Sequence, residues 1–192
     1  MTARAKMAKR APRRGERVGH ILGESLKCFA EQGFERVTYD ELIARSRVSR
    51  GSFYWYFPSK EALYEAVLEY CVAGYVARLE AEFARTDPRA PVLVRLLRGS
   101  LADFNANRTQ YRLLMRPPPS RTALERLTQW NDDTLAFFRG KLTAGGAADA
   151  AALADVLSAF VDGICVRTVL EDENALATLS ANVEAMLARM VG

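Results

Sequence analysis

Residues 38–60 read TYDELIARSRVSRGSFYWYFPSK, and three helix starts can be read within them. Thr38 stands three residues before Glu41 as a capping box, with Val37 and Leu42 positioned as a hydrophobic staple around it. Ser49 is a second N-cap candidate, flanked in the same way by Val48 and Phe53. Ser59, after Pro58, opens a third helix beginning Lys60-Glu61-Ala62-Leu63. Two short helices joined by a tight turn are the smallest device that sets one helix into a DNA groove. The middle helix, from about Arg50 to Phe57, is too short to be stable in isolation. Its neighbours must hold it, through Phe53 and Phe57 four residues apart on one face. The opposite face then carries Arg50, Gly51, Ser52, Tyr54, Trp55 and Tyr56.

The N-terminal residues of such a second helix face base edges, while neighbouring residues hold the phosphate backbone. Arg50 is the base-reading candidate, because its planar fork can donate two hydrogen bonds to guanine O6 and N7. Ser49 and Ser52 offer hydroxyls to a base or phosphate, and Gly51 lets the helix backbone come close. Tyr54, Trp55 and Tyr56 offer apolar contact to thymine methyls or hydroxyl donation to phosphates. Lys60 lies in the first turn of the following helix, whose free N–H groups suit a phosphate.

This stretch resembles the DNA-binding region of the TetR family of bacterial transcriptional regulators. The resemblance rests on Thr38, Leu42-Ile43-Ala44, Val48-Ser49, the run Gly51 to Phe57, and Ser59 to Leu63, and it covers about the first third of the chain. Beyond it, only length and helical pattern are similar. The resemblance implies an all-α fold of about nine helices: a three-helix helix-turn-helix domain, then a helical domain for effector binding and dimerisation. It also implies phosphate contacts for Thr38, Tyr56 and Lys60. Arg47 departs from the family pattern, which often has Gly in the turn. A side chain there either tolerates a left-handed backbone, at about 1 kcal/mol, or selects a different turn. Arg47 is also a candidate phosphate contact.

Charge is divided unevenly. Residues 1–60 hold 13 Lys/Arg and 6 Asp/Glu, whereas residues 61–192 hold 14 and 17. The basic excess therefore accompanies the groove-reading segment, as phosphate binding requires. Much of it lies in Arg4, Lys6, Lys9, Arg10, Arg13, Arg14 and Arg17, opposed only by Glu16. Residues 1–14 read as a disordered basic arm that either is a solvated tail or follows DNA into the adjacent minor groove. The chain then divides into a DNA-binding domain over 15–60, its motif at about 38–57, and a second domain over 61–192.

Apolar residues make up 49% of the chain, an ordinary globular share. No uncharged run of 18 apolar residues is present, so no membrane span or membrane partner is expected. Cys28, Cys71 and Cys165 are far apart and form no CxxC pair, which leaves reduced, packed thiols in a cytoplasmic protein as the expectation. No metal site or cofactor is expected. Nor is catalysis: His20 is the single histidine, and neither a nucleophile set nor a glycine-rich phosphate loop accompanies it.

The helical pattern continues to the C-terminus. Helices are expected at about 15–32, 59–85 (one rod of about 40 Å), 91–105, 108–116, 120 or 122 to 143, 148–170 and 174–191. A short reading helix covers few base pairs, so a homodimer on a near-palindromic, double-stranded operator is expected. The seam is expected on the last two helices, at Val156, Leu157, Phe160 and Ile164 and at Leu179, Val183, Met186 and Leu187, with Leu176 and Met190 extending the stripe. The alternative is that these helices complete the subunit core. Phe104, Tyr111, Met115, Trp130, Phe137 and Phe138 are either core or, as the resemblance implies, the wall of a pocket for a lipophilic small-molecule effector. Asn105, Gln129 and Asp133 are candidate polar groups beside Tyr111. The functional expectation is a ligand-released repressor; the alternative is a DNA-binding regulator without a small-molecule effector, controlled by a protein partner or by abundance.

Overall fold

The structure is a computed structural model and describes residues 14–170 and 173–189. The basic arm, apart from Arg14, lies outside the described residues, as do the side chain of Leu176 and all of Met190. Among the described residues the chain is all-helical. α1 spans Arg14–Gln32, α2 Tyr39–Ser46, α3 Arg50–Tyr56, α4 Lys60–Val72 and α5 Tyr75–Arg85. α6 spans Val92–Ala106, α7 Arg108–Leu114, α8 Arg121–Ala144, α9 Ala150–Leu170 and α10 Glu173–Arg189.

Local chemistry fixes the early boundaries. Thr38, Ser49 and Ser59 each accept from the backbone N–H three residues on, at Glu41, Ser52 and Ala62. Ser120, rather than Thr122, caps α8 by accepting from Ala123 N–H at 3.1 Å. The Thr38 motif is a single cap and not a reciprocal box, because the Glu41 carboxylate accepts from Gln32 Nε2 at 2.7 Å instead. α1 stops at Gly33, whose φ of 83° is left-handed and whose N–H reaches Phe29 O at 2.9 Å. A Cβ at Gly33 would also lie 3.3 Å from Arg116 Nη1. Gly33→Ala is therefore expected to cost about 1–2 kcal/mol in urea unfolding. An unchanged midpoint would show that the turn relaxes.

The rod expected over 59–85 is broken, so ten helices are described rather than about nine. Ala73 caps α4 through Glu69 O, and Gly74 turns left-handed at φ 70° before α5 begins. The Arg78 guanidinium occupies the break, donating to Cys71 O (3.4 Å) and Ala73 O (3.2 Å), carbonyls that a continuous helix would use itself.

Two apolar clusters form the core. The first joins α1 to α4 around Phe29, Phe53, Leu63 and Tyr64, and takes in Leu113, Leu114 and Ala123 from α7 and α8. The second runs from Tyr75 to α10 around Leu79, Phe104, Phe138 and Leu187. Met115 and Trp130 pack against both. α4 thus shares the core of the three helices before it.

α7 bridges the clusters. At its far end Arg116 donates to the α1 carbonyls of Ala30 (2.9 Å) and Glu31 (2.8 Å), which the helix terminus leaves free. At its middle the Tyr111 hydroxyl donates to Asp103 Oδ2 at 2.8 Å and lies 3.1 Å from the Tyr75 hydroxyl. Asp103 is buried, and its Oδ1 accepts from Arg78 Nε and Asn107 Nδ2, both at 3.0 Å.

Candidate functional site

α2, the turn and α3 form the unit that the sequence implied. In the turn Arg47 adopts φ 53° and ψ 28°, and its N–H reaches Ala44 O. The left-handed backbone expected as one of two outcomes is therefore present, and Arg47 is the single non-glycine residue at positive φ among the described residues. Ser46 closes the inner side, donating to Ile43 O at 2.8 Å and accepting from Val48 N–H at 3.4 Å. Phe53 and Phe57 are buried with ring centroids 6.3 Å apart, and Tyr39 donates to Phe57 O beneath α3. A helix of seven residues is held by these contacts, since its own hydrogen bonds are too few.

Its outward face is open. Trp55 is 65% exposed and Tyr54 is exposed beside it, an unusual amount of bare aromatic surface for seven residues. A Cβ added at Gly51 would meet nothing within 4 Å, so the backbone itself is accessible there. Arg50 is exposed and ion-paired with exposed Asp40 at 2.8 Å. Such a surface pair is worth about 0–1 kcal/mol, which a guanine or phosphate readily outcompetes. Tyr56 is half-buried against the first cluster, with its ring centroid 4.9 Å from that of Trp55.

A cleft of about 700 Å³ beside α3 is lined by Arg17 and His20 of α1, by Ser46 and Arg47, and by Ser49 and Ser52 at the start of α3. His20 Nε2 lies 3.0 Å from Ser46 O; a carbonyl only accepts, so Nε2 carries the proton and ties α1 to the end of α2. Sequence reasoning missed the contribution of α1 to this surface. Its signal was the i, i+3 spacing of Arg17 and His20, opposite the apolar stripe of the same helix.

Lys60 is turned inward. Its Nζ donates to Phe34 O (3.0 Å) and Val37 O (3.1 Å) and lies 4.2 Å from the Phe34 ring centroid. It closes the loop between α1 and α2 through these contacts.

The six residues considered for an effector pocket come together, but as packed core. Phe104, Tyr111 and Phe138 are fully buried, and Met115, Trp130 and Phe137 are partly so. Centroids are 5.5 Å apart for Phe104 and Tyr111, 5.3 Å for Tyr75 and Trp130, and 5.9 Å for Phe137 and Phe138. The cavity that Phe104 lines, with Ser100 and Cys165, holds about 10 Å³, the room of roughly one water. Asn105, Gln129 and Asp133 do not converge on Tyr111: Gln129 bonds Asp133 on the exposed face of α8, and Asn105 is exposed and bonded to Ser180. The polar groups that do meet beside Tyr111 are buried Asp103 and Tyr75 and, reaching Asp103 from a partly exposed position, Arg78. Asp103 was legible, since it follows Leu96, Gly99 and Ser100 at helical spacing on the buried face of α6.

The stripes assigned to a dimer seam divide. Leu157, Ile164, Val183 and Leu187 are buried within their own subunit, and Leu179 is partly buried there. Val156, Phe160 and Met186 are exposed, and the latter two line an apolar groove of about 490 Å³ between α9 and α10. The inward half of each stripe thus completes the subunit core, because a wide helical stripe can face two partners at once.

Burial raises the thiol pKa of all three cysteines, taking Cys71 from its ordinary 9.0 to about 12. Burial thus disfavours the thiolate form at each of the three positions. Among the described residues no helix is long and apolar enough to cross a membrane, and no cluster of metal-binding side chains is present.

Comparison with known proteins adds the following. The sequence profile of bacterial regulatory proteins of the tetR family matches residues 21–67, which comprises the end of α1 through most of α4. The transcriptional repressor NemR of Escherichia coli K12 is 40% identical over 60 residues, covering 31% of this chain and 30% of that protein. The aligned stretches of the first curated relatives span only 17–35% of those proteins' lengths. In three dimensions, a transcriptional regulator of the TetR/AcrR type from Aquifex aeolicus superposes with a TM-score of 0.73 at 20% identity, covering 91% of this chain and 99% of that one. FadR of Bacillus subtilis, solved with stearoyl-CoA, superposes with a TM-score of 0.69 at 17% identity, covering 91% and 97%. At such identities the structural likeness speaks for the fold.

Proposed function

This chain belongs to the TetR family of bacterial regulatory proteins, and we propose that it is a cytoplasmic repressor that binds a near-palindromic operator as a homodimer and is released by a lipophilic small molecule. The observation that carries the DNA-binding part is the exposed face of α3, on which Arg50, Gly51, Tyr54 and Trp55 stand clear of the core. α3 lies in the major groove, where Arg50 leaves Asp40 for guanine O6 and N7. Ser49 and Ser52 meet the backbone at the helix start, and Thr38, Arg47 and Tyr56 add phosphate contacts around it. Two such helices must sit one DNA turn apart, about 34–36 Å, which the dimer fixes. Phe160 and Met186 of the α9–α10 groove, together with exposed Val156 on α9, form the surface on which two subunits meet.

The stearoyl-CoA bound to FadR supports an apolar effector for this fold. In this chain such a ligand must displace side chains around Phe104 and Tyr111, and it acts only insofar as it prefers the displaced arrangement. That core, filled but for about 10 Å³, favours a second reading: a regulator with no small-molecule effector, controlled by a protein partner or by abundance.

Selection of bound sequences from random duplex DNA tests the first part. A palindromic consensus supports the reading, and no enrichment refutes it. On that consensus Arg50→Ala is expected to weaken binding by about 1–3 kcal/mol and to relax preference at one or two positions per half-site. Retained preference at every position would remove Arg50 from base reading. A panel of acyl chains and aromatic amphiphiles, titrated against the operator complex, separates the two effector readings: release supports the first and indifference the second.

A further inference from the structure

We propose that Asp40, at the start of α2, is a second base-reading residue, accepting a hydrogen bond from cytosine N4 on the base pair next to the guanine that Arg50 reads. The proposal rests on the DNA-binding reading above and extends it to a residue outside the turn and α3. Two acidic side chains stand in the first turn of α2, Asp40 and Glu41. Glu41 turns back to Gln32 Nε2 (2.7 Å) and Arg45 Nε (3.7 Å). Asp40 turns toward α3, and its Oδ1 accepts from Arg50 Nη2 at 2.8 Å. Both side chains of that pair stay mostly in solvent, 70% exposed for Asp40 and 61% for Arg50. Their backbones are set by what lies beneath them. Thr38 caps α2, and the Tyr39 ring packs on Phe53 and Tyr54 of α3 with centroids 5.2 and 5.0 Å apart. The carboxylate is thereby carried on a fixed helix at the edge of the reading face.

Its contact with Arg50 limits how far Asp40 lies from that residue's base. Stacked pairs are about 3.4 Å apart along a strand, close to the distance between the two side-chain tips. When Arg50 leaves for guanine O6 and N7, Asp40 loses its cation and faces the groove floor with oxygens that only accept. In the major groove cytosine alone presents a donor, its N4 amino group, with no acceptor beside it. Adenine sets N7 beside its N6 donor, and guanine and thymine present acceptors. A carboxylate is therefore repelled by part of every edge but that of cytosine. An asparagine in its place, with one acceptor and one donor group, instead matches adenine N6 and N7. The ordinary duties of Asp40, an exposed ion pair and a negative charge at a helix N-terminus, affect stability slightly and carry no base preference.

The experiment repeats selection from random duplex DNA with the parent chain and its Asp40→Ala and Asp40→Asn variants. The parent should enrich cytosine on the pair adjoining the guanine, which is identified as the position that Arg50→Ala relaxes. Asp40→Asn should put adenine in place of that cytosine and keep the guanine. Asp40→Ala should accept any base there and again keep the guanine. On synthetic operators that differ only at this pair, the parent should prefer cytosine to adenine by at least about fivefold, the effect of one mismatched pair. Asp40→Asn should reverse that order, a result no misfolded variant produces, and Asp40→Ala should bind both duplexes alike. Identical consensus sequences for the parent and Asp40→Ala overturn the proposal. So does loss of the guanine preference together with that for cytosine in Asp40→Ala, since Asp40 would then only position Arg50. Either result leaves the DNA-binding reading standing. A parent chain that enriches no duplex at all instead refutes that reading, and the proposal falls with it.

Discussion

Asp103→Ala is expected to destabilise the subunit by about 3 kcal/mol, the low end of what removing one partner of a buried ion pair costs. Asp103 is 2% exposed, and its two oxygens serve Arg78, Asn107 and Tyr111 together. Alanine would leave the Tyr111 hydroxyl buried with only Tyr75 nearby, and burying a hydroxyl without its acceptor is costly. Arg78 softens the loss, because its side chain is 32% exposed and keeps the carbonyls of Cys71 and Ala73. Asp103→Asn retains an acceptor for Arg78 and should cost less. Thermal unfolding gives the readout, with a fall in Tm of about 6–12 °C for alanine in a chain of this size. A loss below 2 °C would mean that the carboxylate does not organise the junction between α4, α5, α6 and α7.

Val156→Glu is expected to leave subunit stability nearly unchanged and to reduce operator affinity by about 10²–10⁴-fold, the avidity lost when two linked sites bind separately. Val156 is 67% exposed on α9, so glutamate meets no core there, and surface changes of this kind stay within about 0.5 kcal/mol. In a two-fold dimer the new carboxylate is presented twice on a seam that is otherwise apolar, where charge is disfavoured. Sedimentation of the variant should give a single subunit at micromolar concentration while the parent sediments as a pair. A variant that remains paired and binds the operator normally would move the seam away from this face of α9.

What could be read from the sequence follows the range of the forces involved. The caps at Thr38, Ser49 and Ser59 were legible because each is a contact across three residues. Phe53 and Phe57 were legible for the same reason. The break at Gly74 was not, because one glycine in a helical run costs only about 1 kcal/mol and does not end it. What ends it is Arg78, anchored to a carboxylate 25 residues away. The intramolecular partners of Lys60 were hidden similarly: they are carbonyls 23 and 26 residues back, and nothing in the local pattern announces them. For α9 and α10 the apolar stripes were correct, but a stripe does not say whether its neighbour belongs to the same subunit.

α7 is a seven-residue helix held at its middle, by Tyr111 to Asp103, and just past its C-terminal end, by Arg116 to the last carbonyls of α1. A short rod held at these two points acts as a strut: it cannot yield at one without pushing on the other. Substitutions along it should consequently alter how strongly the two halves of the molecule sense each other, while leaving the exposed face of α3 unchanged.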